Sequence, residues 1–285
     1  MGETISPLVL NPFKNIVGLI LFFITCLIIK EPLIQGIDPT GVSGLTSYDY
    51  FILLLSGTIG IGLADMIFFK SLNILGAGIS AIVDCLYSPM VILFAFFMLN
   101  ERLEVMQLIG AGLVVGSILF ASLKLRDIPV TRKQFIYGVF LGFVSMSMMA
   151  YGIVLIKPIL NKVAENSSKL IWLAGFRLIP GVIVSGSIFL YFNRKRELIR
   201  PLRDRSIWPV LMSGSILGAY CSLIFWIIGM SLTLASTASI INQSAAIFIF
   251  IFSWLILKET LTLRRSISFG IAALGVVLVF IGSSG

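Results

Sequence analysis

Asp84 places a carboxylate inside a long apolar run, where it can act on a solute or tie helices together. If a helix begins at Ala77, Asp84 lies about 10 Å into it at 1.5 Å per residue. An ionised Asp at such a depth costs on the order of 2.5–3.5 kcal/mol on insertion scales, so it should face a cavity or a partner rather than lipid. Ser80, Asp84, Tyr87 and Ser88 fall at i, i+4, i+7 and i+8, on one helix face. Pro89 has no N–H to offer and frees the carbonyl of Cys85 beside that stripe. Such a face could bind a substrate amine or couple transport to a proton. It could equally hold two helices together through hydrogen bonds.

Other polar groups within apolar runs extend the set. Asn242 and Gln243 lie where an internal repeat, described below, matches Asp84. Asp65 follows Gly57, Gly60 and Gly62, whose small surfaces allow close helix approach; cavity lining and helix glue both fit it. Lys70, five residues on, can snorkel to the headgroups. Arg177, with Lys14 as a weaker counterpart, could attract an anionic substrate or pair with a carboxylate or carbonyl. Tyr151 and Trp226 are candidate cavity walls, or ordinary lipid-facing or core aromatics.

Much enzymology is excluded. The chain has no histidine, which removes His-based proton shuttling, His metal ligands and the usual Ser or Cys triads. Cys26, Cys85 and Cys221 lie in apolar runs without metal-site or disulfide spacing and are expected to be packing residues. No metal site or cofactor is expected. Two membrane carboxylates also occur in intramembrane aspartyl proteases, but Leu63-Ala64 separate Asp65 from the preceding glycine, and Asp84 sits in a Val-Asp-Cys context. That reading is a remote alternative.

The elements that must position these residues are membrane helices. With 58% hydrophobic and 12% charged residues and a mean hydropathy of +1.06, the chain departs from soluble domains, which have about 25% charged residues. An all-α polytopic membrane protein is expected. Apolar runs of about 20 residues give nine candidate spans, near 15–29, 50–70, 77–99, 105–123, 134–156, 170–192, 207–228, 236–257 and 266–282. The net charge of +8 is spread over connectors with no nucleic-acid-binding fold around it. Its largest cluster, Arg194-Lys195-Arg196 with Arg200, Arg203 and Arg205, would sit against anionic lipid headgroups. No cleavable signal peptide is visible at the N-terminus.

Glu101 and Glu259 close apolar runs with similar wording, Leu99-Asn100-Glu101-Arg102-Leu103 and Leu257-Lys258-Glu259-Thr260-Leu261, 158 residues apart. The same offset pairs Gly60 with Gly218, Ala77 with Ala235 and Gly112 with Gly270. A duplicated unit is expected, with halves at 1–124 and 134–285. Five spans, an odd number, separate the two glutamates, so the repeats are inverted, an architecture of secondary transporters. The first half then looks one helix short, with four spans against five. Fifteen Lys and Arg residues fall on one loop face and five on the other, Arg177 being intramembrane, so the first face is expected to be cytoplasmic.

The chain resembles the drug/metabolite transporter superfamily, EamA type. The resemblance is carried by Gly57, Gly60 and Gly62, Phe68-Phe69-Lys70-Ser71-Leu72, Gly76-Ala77, Ser80-Ala81, Ser88-Pro89, the Leu99–Leu103 pentad, Gln107 and Gly110, and by a weaker recurrence from Gly214 to Gly275. It implies two inverted EamA-like repeats and a secondary transporter, in the exporting direction, for amino acids, related metabolites or drugs. The protein would be multi-pass in the cell membrane, monomeric or homodimeric, with possible proton coupling. Family members usually have ten helices, so a truncated or non-transporting relative is the alternative.

Overall fold

The computed structural model describes residues 6–31, 33, 45–101, 104–122, 131–192, 200–242, 244–256, 258 and 262–283. Among these every regular element is helical. Helix α1 (Pro7–Ile28) starts where the Ser6 hydroxyl accepts the Leu8 N–H and Pro7 supplies a preset first-turn backbone. Helix α2 (Ser47–Gly57) starts at a reciprocal cap: Thr46 accepts the Asp49 N–H while the Asp49 carboxylate accepts the Thr46 N–H at 2.8 Å. It runs through a π-helical segment, Thr58–Leu63, into α3 (Ala64–Asp84). Then come α4 (Tyr87–Leu99), α5 (Val105–Ser122), α6 (Arg132–Val163) and α7 (Ser167–Phe192). Two short 3₁₀ turns lead into α8 (Trp208–Ser215), a second π segment Ile216–Cys221 and α9 (Ser222–Leu232). Helices α10 (Ala235–Asn242), α11 (Ser244–Leu255) and α12 (Leu263–Ser283) complete the chain.

All nine predicted spans fall largely on helix, and five stretches are individually long and apolar enough to cross a membrane: Pro7–Ile28, Ser47–Asp84, Arg132–Val163, Ser167–Tyr191 and Arg205–Leu232. The expected single helix over 77–99 requires correction. Gly76 adopts φ 76°, ψ 166°, which breaks the helix before Ala77, a conformation open to glycine because it lacks Cβ. A second lapse follows at Cys85 and Leu86, where Pro89 cannot donate to the Cys85 carbonyl. The turn tightens instead through Leu86 N–H to Val83 C=O at 3.0 Å, and regular bonding resumes with Met90 to Leu86 at 3.1 Å.

The 158-residue spacing recurs in the backbone. The π segments Thr58–Leu63 and Ile216–Cys221 are separated by it. So are two residues in the left-handed region, Asn100 at φ 54° and Lys258 at φ 53°.

Two compact units are present, and neither follows a sequence half. The first comprises Met1–Met66 and Leu155–Thr233. Within it α7 packs against α1, α2 and the first π segment, while the second π segment meets α1. Gly57 makes the closest approach: a Cβ there would lie 2.0 Å from the Arg177 carbonyl oxygen. The second unit comprises Ile67–Val154 and Leu234–Gly285. Its main seam joins α5 to α12, where a Cβ on Gly275 would meet the Gly110 carbonyl at 2.6 Å.

Small-residue spacing alone does not identify a seam. Gly138 and Gly142 pack against Leu75 and Val83, as the four-residue spacing predicts. Gly112, Gly116, Gly214 and Gly218, with the same spacing, have nothing within 4 Å of a built Cβ.

Candidate substrate pathway

The stripe around Asp84 belongs to the second unit. Asp84 is the last residue of α3, at the hydrogen-bonding lapse, and not in mid-helix as the sequence implied. Asp84 as a whole residue is half-buried. One turn earlier Ser80 is buried, and its hydroxyl has no hydrogen-bond partner among the described residues. Tyr87 and Ser88 open α4, both buried. Ser88 Oγ lies 3.3 Å from Ser239 Oγ on α10, which packs against α4. Asn242 is exposed at the end of α10, three residues beyond Ser239. Tyr151 is half-buried and meets Phe94 edge-on at 5.5 Å. Gln243 lies outside the described residues, as does Glu259.

The sequence marked Glu101 as a repeat signature, and the structure adds a cap. The Glu101 carboxylate accepts the N–H groups of Ala235 and Ser236 at 3.3 and 3.4 Å and the Ser236 hydroxyl at 2.7 Å. It thereby satisfies orphan donors at the start of α10 and places negative charge at a positive helix end. Glu101→Ala is expected to lower stability by about 1–2 kcal/mol, and Glu101→Gln, which keeps an acceptor, to restore at least half of that. Thermal unfolding of the two variants in detergent provides the comparison.

Three of the chosen residues lie in the first unit. Asp65 pairs with Lys14 on α1, while Asn11 of α1 donates to the Gly62 carbonyl in the adjoining π segment at 3.3 Å. Arg177 is 4% exposed and its Nε donates to Ser56 Oγ at 3.1 Å. Trp226 is half-buried on α9.

The span 134–156 read from hydropathy ends just before Lys157, which puts Lys157 among the five charges of the second loop face. Helix α6 instead continues to Val163, and Lys157 is only 5% exposed. Its ammonium donates to the Met230 carbonyl at 2.6 Å and to the Thr233 carbonyl, closing the C-terminal end of α9. The sequence signal was available: a Lys directly after an apolar run and before Pro158. Lys70 behaves as an interfacial residue, exposed and bonded to the Tyr137 hydroxyl at 3.1 Å.

Five stretches long and apolar enough to cross a membrane, in an architecture that is helical throughout the described residues, make this a polytopic helical membrane protein. The chain belongs to the EamA-like transporter family, which matches residues 1–123 and 136–281. An uncharacterized transporter of Methanothermobacter thermautotrophicus is 23% identical over 283 residues, spanning 98% of this chain and 80% of that one. A protein known from its crystal structure shares the fold with a TM-score of 0.68 at 13% identity, over 98% of this chain and 89% of that chain. The protein is thus a membrane transporter of the drug/metabolite type.

Proposed function

We propose that the protein is a secondary transporter that exports a small organic metabolite, an amino acid or related compound, across the cytoplasmic membrane. Its two halves, 1–124 and 134–285, act as inverted repeats in alternating access. The recurrence of the π segments and left-handed residues at the Glu101–Glu259 spacing supports that duplication. Asp84 serves as the amine contact or the proton-coupling group, with Ser80, Tyr87, Ser88 and Asn242 along the same route.

One observation carries the proposal: Asp84 lies at a lapse in a membrane helix, one turn from a buried serine hydroxyl with spare hydrogen-bonding capacity. Discontinuous helices are where secondary transporters present polar groups to solutes and coupling ions, since irregular backbone at membrane depth persists only inside protein or beside a water-filled cavity. Solute counterflow in proteoliposomes tests it, with pooled amino acids and related metabolites as solutes. Saturable exchange by the wild type, reduced about tenfold or more in Asp84→Asn, is the expected result. Undiminished exchange by Asp84→Asn removes Asp84 from the pathway, and no exchange by folded wild type favours a non-transporting relative.

A further inference from the structure

Arg203, Arg205 and Trp208 have no part in the proposed pathway. They lie where chain approaching the membrane becomes span, since the apolar stretch Arg205–Leu232 begins at Arg205. Together with Leu202 they line a cavity of about 400 Å³. Its walls are fixed from below. The Trp208 indole N–H donates to the Leu202 carbonyl at 3.0 Å, and its ring meets Phe13 of α1 edge-on at 5.9 Å. Leu202, Ile207 and Phe13 pack against the buried pair Val9 and Leu211.

Above those walls sit two cations with spare capacity. Arg203 and Arg205 are exposed, and neither guanidinium group has a hydrogen bond or ion pair among the described residues. The intervening carboxylate is committed elsewhere: Asp204 accepts the Ser206 N–H at 2.9 Å, which holds its carboxyl below the usual carboxylate range. Two guanidinium groups match phosphate oxygens through paired N–H donors. The indole, 41% exposed, and Leu202 offer apolar surface for the first methylenes beyond a phosphate. Trp is the residue favoured at this depth, its ring amphipathic.

We propose that this cavity is a binding site for the phosphate headgroup of an anionic membrane lipid, Arg203 and Arg205 holding the phosphate and Trp208 with Leu202 flanking the glycerol and upper acyl chain. The position at the start of a span and the apolar walls favour a lipid over a free phosphate ion.

The test is native mass spectrometry of the full chain released from detergent with phosphatidylglycerol or phosphatidylcholine of identical acyl chains. Wild type is expected to retain phosphatidylglycerol preferentially. R203Q/R205Q should bind it about tenfold more weakly or worse, because the two guanidinium–phosphate contacts are lost. R132Q/K133Q removes the same charge from exposed positions at the start of α6 and should leave the preference intact. Equal loss in both double variants would reduce the effect to general electrostatics and overturn the site. Equal retention of the two lipids by wild type would do the same, and full displacement of phosphatidylglycerol by millimolar inorganic phosphate would reassign the cavity to a soluble anion. Each variant is compared with wild type by thermal unfolding in lipid-free detergent, so that a folding defect is not read as lost binding; Trp208→Ala, which keeps both cations, should weaken retention without abolishing selectivity.

Discussion

Gly57→Ala is expected to lower stability by about 3 kcal/mol or more, the largest effect of an added methyl group at any of the described glycines. The added Cβ would lie 2.0 Å from the Arg177 carbonyl oxygen, 3.0 Å from its carbonyl carbon and 2.7 Å from Pro180 Cγ. Two of these are backbone atoms and the third belongs to a rigid ring, so no rotamer change relieves the clash. Insertions into packed cores usually cost about 1–3 kcal/mol because side chains yield; here the helices themselves must separate. Moving α7 also disturbs Arg177, whose Nε is bonded to Ser56 beside Gly57. The control is Gly214→Ala, a glycine within α8 with nothing within 4 Å of its built Cβ. Relief of the helical glycine penalty should stabilise that variant by about 0.5–1 kcal/mol. Thermal unfolding by fluorescence-detected size exclusion in one detergent would separate the two. Equal melting temperatures would refute the close approach of α2 and α7.

Asp65→Ala should be almost as damaging, because it strands a cation. Asp65 and Lys14 form an ion pair whose side chains are 14% and 19% exposed. Removing one partner of a fully buried pair costs about 3–5 kcal/mol, and this part-buried pair sits at or below the lower end of that range, whereas replacing both by apolar residues of similar volume is often neutral or better. Lys14→Met/Asp65→Leu is therefore expected to recover most of the stability lost in Asp65→Ala. The same double variant separates the two roles open to Asp65. If the pair is glue, the folded double variant retains counterflow; if Asp65 contacts the solute, it folds and does not transport.

What the sequence revealed and concealed divides along physical lines. Helix positions were legible because apolar runs of membrane length are nearly unambiguous; the freed Cys85 carbonyl was legible because Pro89 cannot donate, but the helix break it accompanies at Cys85 and Leu86 was not. The close approach at Gly57 followed from its small surface. The π segments were not legible: a widened turn needs one residue more per bonding ring and imposes no residue type, so Thr58–Leu63 and Ile216–Cys221 read as ordinary helix. The partners of Arg177 and Glu101 were hidden for another reason. Ser56 and Ser236 lie 121 and 135 residues away, and a serine in an apolar helix carries no mark of what it will bind. Lys157 was misplaced because hydropathy stops at the first charge, while a helix continues as long as the charge finds acceptors.

The joint between α9 and α10 carries a consequence for biogenesis. Thr233 and Leu234 interrupt helical bonding and would leave open carbonyls and N–H groups on either side, which hydrocarbon does not tolerate. Lys157 answers the carbonyls and Glu101 the N–H groups. Both residues precede the joint in the chain, so a ribosome working from the N-terminus delivers the two chaperoning side chains before the segment that depends on them. The first N–H groups of α10 then meet a carboxylate that is already in place.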